Sequence, residues 1–237
     1  MEIMEENQKK GHLHPISQTI LDMQRIFGEL GFAVAEGTEI ETEEYNFDLL
    51  NVPKNHPARD LWDTFWLSPK NAGKLLRTHT SPVQIRYAKA HKPPFKVIVP
   101  GKTFRHEATD STHEMQFHQM EGLYIDKNVS LAHLKGVLEH FVKEFFGGEL
   151  QVRFRPSFFP FVEPGIEIDI SRDGKKWIEV LGAGVVHPTV IENIGLDPKE
   201  YSGFAFGMGI DRLVMLKYGV DDVRSFYNGD LRLVNQF

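Results

Sequence analysis

Two short stretches about a hundred residues apart constrain this chain more than any other feature. Near the C-terminus, Gly207-Met208-Gly209-Ile210-Asp211-Arg212 follows an apolar run and opens an amphipathic segment. Upstream lies Phe104-Arg105-His106-Glu107, in a stretch with strand character. Gly-x-Gly at a strand–helix junction lets backbone approach closely and puts the following arginine in a first helical turn. The pattern therefore demands a fold that holds one arginine on a strand and another at the start of a helix. Two fixed cations of this kind suit a ligand whose charge sits on phosphate oxygens. The guanidinium fork is always charged and grips such oxygens in two places.

Composition narrows the classes. The chain has 237 residues, 41% hydrophobic and 25% charged, an ordinary globular balance that one domain can accommodate. Cysteine is absent, so disulfides, thiolate metal sites and a cysteine nucleophile are excluded. No apolar run reaches the roughly 18 residues that span a bilayer, and the acidic N-terminus does not read as a secretory signal. A cytoplasmic, reducing compartment fits, and no membrane partner is expected. The net charge of −6 argues against indiscriminate nucleic-acid binding. Yet residues 67–106 hold Lys70, Lys74, Arg77, Arg86, Lys89, Lys92, Lys96, Lys102 and Arg105 and no acid at all. That local positive field runs straight into the proposed phosphate site.

Local patterns predict the elements. Residues 1–13 read as a flexible tail. A helix starts at His14-Pro15 and runs to about Leu30, with Gly31 as its stop. Short extended pieces follow at Phe32–Ala35 and around Ile40, then a polar loop from Tyr45 through Asp60. Ser81-Pro82 reads as the cap of a helix to about Ala90. Strands are predicted at Lys96–Val99, Thr103–Glu107, Gln116–Asp126, Gln151–Arg155, Gly165–Ser171, Lys176–Leu181 and Phe204–Gly207. Asp173-Gly174 is a hairpin signal between two of them. Helices are predicted at Leu131–Phe146, after His187-Pro188, and over Gly209–Tyr218. Strands linked by hairpins, with helices between an early and a late set, predict an α+β fold: an antiparallel β-sheet flanked by helices, as one domain over residues 14–237.

Six blocks now carry a resemblance: YNFDLLNVPKNHPARDLWDTFWL, LLRTHTSPVQIRYA, PGKTFRHEATDSTHEMQFHQMEGL, RFRPSFFPFVEPGIEIDI, LGAGVVHPTVIENIGLDP and YSGFAFGMGIDRL. In this order they resemble the catalytic α subunits of bacterial phenylalanyl-tRNA synthetases, class II aminoacyl-tRNA synthetases, from about His14 to Phe237. The resemblance implies activation of phenylalanine with ATP and magnesium to phenylalanyl-adenylate, then transfer to the 3′-terminal adenosine of tRNA(Phe). It implies that Arg105 and Glu107 belong to motif 2, with Arg105 at the α-phosphate and Glu107 on the adenine side or in a positioning network. His113 would meet a phosphate, Phe117 would stack on adenine, and Arg212 of motif 3 would bind the γ-phosphate. His79, Ser81, Gln119 and Glu121 match the polar residues that hold the ammonium and carboxylate of phenylalanine. Phe159, Phe161, Val162 and Ala205 match the pocket for its ring, and Trp62 another substrate-side aromatic. Glu163 resembles a magnesium carboxylate at a site shared with a partner β subunit. No zinc is expected.

Two departures stand out. Thr38 follows Gly37 where motif 1 of the family typically has proline. The resemblance also implies an N-terminal helical arm that touches tRNA, and the short stretch before His14 does not read as one. The family works as a heterotetramer of two α and two β subunits; for this chain alone, a homodimer through motif 1 and a monomer both stay open. So does a chain that completes only the activation step. A non-enzymatic class II paralogue is the main rival, and the presence of Arg105, Glu107 and Arg212 together counts against it.

Overall fold

The structure is a computed structural model, and it describes residues 11–54, 64–69, 72–148 and 150–237. Nine strands and seven α-helices are described. Helix α1 spans Pro15–Glu29, and β1 (Ala33–Val34) and β2 (Ile40–Thr42) follow. Next come α2 (Glu43–Asn46), a 3₁₀ turn at Asp48–Leu50, β3 (Lys74–Leu76) and α3 (Ser81–Ala90). Strands β4 (Phe95–Phe104) and β5 (Gln116–Asp126) precede α4 (Leu131–Phe146). Strands β6 (Gln151–Phe159), β7 (Val162–Ser171) and β8 (Ile178–Val186) lead to α5 (Pro188–Asn193). The chain closes with β9 (Ser202–Gly209), α6 (Ile210–Tyr218), a 3₁₀ turn at Val223–Phe226 and α7 (Leu231–Val234).

Seven strands form the main sheet in the order β1-β4-β5-β9-β8-β7-β6. All neighbours are antiparallel except β1, which runs parallel to β4. Strands β2 and β3 pair separately. The sheet centre is the β5–β9 pair, where Leu123 faces Ala205, Glu121 faces Gly207 and Gln119 faces Gly209. Alternation sends Met120, Phe204, Phe206 and Met208 into one core, against Phe27 of α1, Phe141 of α4 and Leu213 of α6. Leu123 points to the opposite face, into a second core with Val97, Val99, Ile85 and Val190. Gln119, Glu121, Ala205 and Gly207 share its parity. The first core is built on stacked rings: Phe27–Phe206 centroids are 5.0 Å apart and Phe27–Phe141 4.9 Å.

Several expected boundaries move. The segment from Tyr45, read as loop, is helical through α2 and the 3₁₀ turn. The reason is tertiary: Asn46 is fully buried, with its amide donating to Thr78 Oγ1 at 2.9 Å and its carbonyl accepting from Thr78 N–H at 3.3 Å. The two strands expected around Pro100-Gly101 are one strand, β4. β1 covers only Val97 and Ile98 on that side, so the N–H that Pro100 lacks removes no ladder bond. Arg105 and Glu107 lie just past the end of β4, not on it. Thr80, not Ser81, is the cap position of α3, without a side-chain cap bond, and the Ser81 hydroxyl donates to Glu121. Strands β6 and β8 run further than expected, to Phe159 and Val186. In place of the motif 1 proline, Thr38 Oγ1 closes its own turn by donating to the Ile40 carbonyl at 2.8 Å. Among the described residues, no helix is long and apolar enough to cross a membrane.

A Cβ on Gly122 would stand 2.1 Å from Phe206 Cζ, in the middle of the stacked rings. Gly122→Ala is therefore expected to destabilise the fold by about 1–3 kcal/mol through overpacking. A lower midpoint in urea denaturation would show it; an unchanged midpoint would mean that this ring stack yields.

Candidate active site

A cavity of about 380 Å³ opens on the sheet face opposite the ring stack. Its polar end is built from β5 (Gln119, Glu121), from α3 and the turn before it (Ser81, Gln84, His79), and from Arg105. Its apolar end is built from Phe159, Phe161 and Val162 around the β6–β7 turn and from Ala205 on β9. Ala183 and Val186 of β8 and Val190 and Ile194 near α5 complete it. Phe159 and Phe161 stack at 5.9 Å between centroids.

Glu121 is the electrostatic centre. It is 6% exposed, and the Ser81 hydroxyl donates to its Oε2. Burial pushes its carboxyl up to about 7, against the pull of Ser81, the Thr80 backbone, Arg105 and Arg77. Gly207 leaves room for it, since a Cβ there would stand 3.1 Å from Glu121 Cγ. His79 is pulled the other way, down to about 3, by burial first and then by Arg105, so it is neutral near pH 7. Arg77 is also buried, donating to the carbonyls of Lys102 at 2.7 Å and of Gly37 and Thr38 at 3.3 Å. Gly101 makes that possible, because a Cβ would fall 2.2 Å from an Arg77 terminal nitrogen.

Arg105 reaches the cavity with Nε donating to the Thr78 carbonyl at 3.2 Å and its guanidinium 5.0 Å over the Phe117 ring. Burial lowers its pKa, while Glu107 and Glu121 raise it. Arg212 is exposed and is not a lining residue. Its Nε donates to the Glu179 carbonyl at 3.0 Å, and Glu179 lines the cavity beside Glu167. Arg155 ties these carboxylates together, 2.8 Å from Glu167 and 3.4 Å from Glu179.

Of the residues expected from the sequence, His79, Ser81, Arg105, Gln119, Glu121, Phe159, Phe161, Val162 and Ala205 thus line one cavity. Glu107, His113, Phe117, Glu163 and Arg212 do not. His113 is exposed and held by its own loop, with Nδ1 3.0 Å from both oxygens of Asp110. Trp62 lies outside the described residues. Glu163 contributes a single carboxylate whose side chain is 77% exposed, with His187 Nε2 3.5 Å away. Among the described residues, no group of three or more His, Asp or Glu side chains could hold a metal. By donor set, then, this chain's described residues do not make a magnesium site at Glu163.

The sequence reading missed Gln84, Glu167 and Glu179. Gln84 follows Ser81 by three residues on one helix, so helical spacing could have found it. Its Nε2 and the Oε1 of Gln119 are buried without a hydrogen-bond partner, two polar atoms a ligand could satisfy. Glu167 and Glu179 depend on β7–β8 pairing, which is interrupted at Ile168/Asp169 and has no sequence signal.

Comparison with known proteins agrees with this geometry. The family of the tRNA synthetases class II core domain (F) matches residues 1–237. A pyrrolysyl-tRNA synthetase from Desulfitobacterium hafniense shares the fold, with a TM-score of 0.69 over 90% of this chain and 73% of that one at 17% identity. The chain belongs to the class II tRNA synthetases, and within them to the phenylalanine–tRNA ligase α subunits. The phenylalanine–tRNA ligase α subunit of Escherichia coli O157:H7 (strain EC4115 / EHEC) is 55% identical, over 97% of this chain and 69% of that protein. That of Dehalococcoides mccartyi (strain CBDB1) is 51% identical, over 96% and 70%. The α subunit is the catalytic one, so the activity of this family is ligation of phenylalanine to tRNA with ATP.

The Glu121 shift has a consequence for stability. Its folded pKa lies above the ordinary 4.5, so the fold favours the protonated carboxyl. That stability is fully present below about pH 4.5 and is lost as pH rises through about 7. Its size is on the order of 3 kcal/mol. Glu121→Gln should therefore melt higher than the parent chain at pH 8 without ligand, with the gap closing toward pH 5. Equal melting temperatures at both pH values would contradict a carboxyl held up by burial.

Proposed function

We propose that this cavity receives phenylalanine ring-first and that the two arginines flank a bent ATP. In this reading the α-ammonium sits against Glu121, with Gln119, Ser81 and neutral His79 completing the polar end. An ionised Glu121 suits that role, and the bound ammonium would hold it ionised. The ring occupies the space between Phe159, Phe161, Val162 and Ala205. It has no hydrogen-bonding group, so shape and aromatic contact must carry its recognition. Trp62 would close the substrate side.

The carboxylate of phenylalanine attacks the α-phosphorus of ATP, and pyrophosphate leaves with the electron pair of the broken P–O bond. Arg105 stabilises charge on the α-phosphate and Arg212 on the γ-phosphate. Phe117 stacks on adenine with Glu107 on the same side, and His113 meets a phosphate. A ribose hydroxyl of the terminal adenosine of tRNA(Phe) then attacks the acyl carbon, and AMP departs. Catalysis of this kind rests on positioning and fixed charge, with no protein nucleophile.

Magnesium bound with ATP would supply positive charge to the phosphates, and Glu163, too little for the ion by itself, would be one ligand only beside groups from a partner. The relatives are named as α subunits, and we take a β subunit as the partner of this chain too. Without it, pairing through motif 1 and a reach limited to the activation step are the alternatives. The work belongs in the cytoplasm, where tRNA is charged.

What supports the reading is one observation: a single cavity joins a buried carboxylate to an aromatic pocket with Arg105 at its polar end. Arg212→Ala is expected to lower phenylalanine-dependent ATP–pyrophosphate exchange at least 100-fold with unchanged circular dichroism. A parent-like exchange rate in that variant would remove Arg212 from the nucleotide site.

A further inference from the structure

Arg212 occupies an awkward position. It lies in the first turn of α6, where the helix dipole disfavours a cation. Its neighbour Asp211 compensates. Asp211 is 4% exposed and accepts from the His118 backbone N–H at 2.7 Å through Oδ2 and from the Tyr227 hydroxyl through Oδ1. Since that hydroxyl gives its one proton to Asp211, the contact of 3.1 Å between His118 Nδ1 and the Tyr227 oxygen makes Nδ1 the donor. Burial holds the His118 ring down to about 4, so it stays neutral in this role. The result is a closed chain of hydrogen bonds from β5 through Tyr227 to the start of α6.

The segment carrying Tyr227 reaches further. Val223 N–H donates to the Ser111 carbonyl at 2.9 Å, in the loop between β4 and β5 that bears Glu107 and His113. The carbonyl of Phe226 accepts from His14 Nε2 at 3.0 Å, just ahead of α1. Val223 and Phe226 are 2% and 5% exposed, so the segment is anchored in the core. His118 itself lies between Phe117, which carries the Arg105 guanidinium, and Gln119, which lines the cavity.

We propose that Tyr227, acting through Asp211, is a positioning residue for Arg212, and that the segment from Asp222 to Tyr227 fixes Arg212 relative to the β4–β5 loop. This rests on the reading of Arg212 as a phosphate ligand. A hydroxyl more than a dozen residues downstream would then set how well the enzyme holds ATP, without touching it.

The test is a double-mutant cycle in steady-state ATP–pyrophosphate exchange, with Tyr227→Phe, Arg212→Ala and the pair. Tyr227→Phe keeps the ring and removes only the hydroxyl. Asp211→Asn, measured in the same way, guards against a folding defect in the first variant. The expected result is a rise of about 5–20-fold in KM for ATP in Tyr227→Phe, with KM for phenylalanine changed less than twofold. In the Arg212→Ala background the same change should add almost nothing. Parent-like ATP kinetics in both Tyr227→Phe and Asp211→Asn, or the same fold-loss with and without Arg212, would overturn the proposal. Parent-like kinetics in Arg212→Ala alone would overturn instead the reading on which it rests.

Discussion

Everything at this site depends on the register between β5 and β9. Leu123 opposite Ala205, Glu121 opposite Gly207 and Gln119 opposite Gly209 put one face of each strand on the cavity. A slip of one residue would turn Glu121 into the stacked phenylalanines and Met120 toward the substrate. Shape guards against that slip. Phe206 fits only where Gly122 offers no Cβ, and a Cβ on Gly207 would crowd Glu121 at 3.1 Å. The aromatic core is thus what aims the polar end of the cavity, and the β5–β9 pair also carries the chain straight into α6 and Arg212.

Charge is arranged around the same pair at a cost to stability. A buried carboxyl at Glu121 and a buried neutral imidazole at His79 are both far from their solution preferences. Arg77 is locked to three backbone carbonyls and Arg105 to a fourth, so the cations cannot swing away to solvent. In the proposed reading, such a site is organised for a zwitterion and a polyphosphate before either arrives, which would spare reorganisation during reaction.

Where structure follows from local signals, the sequence revealed it. Helix α1 behind His14-Pro15, strand β5 and helix α4 fall within a residue of where periodicity and caps put them. Of the cavity lining, the six ordered blocks pointed to His79, Ser81, Arg105, Gln119, Glu121, Phe159, Phe161, Val162 and Ala205, but not to Gln84, Glu167 or Glu179. What stayed hidden rests on long-range contacts. The helical turns after Thr42 exist because Asn46 meets Thr78, 32 residues away. Glu179 holds Arg212 across 33 residues, and the Asp211–Tyr227 bond has no pattern of its own. Ser81 looked like a cap since serine before proline usually is one; a buried glutamate 40 residues on claimed its hydroxyl instead.

In the proposed reading, one cavity recognises phenylalanine by an unsubstituted ring and a buried carboxylate. ATP–pyrophosphate exchange by the purified chain, with phenylalanine and tyrosine compared as kcat/KM, tests it most directly. A tyrosine hydroxyl among Phe159, Phe161, Val162 and Ala205 would meet no polar group of that wall, so exchange should favour phenylalanine by about 10–200-fold. Equal exchange with the two amino acids, or preference for tyrosine, would contradict the placement of the ring and with it the account of the site.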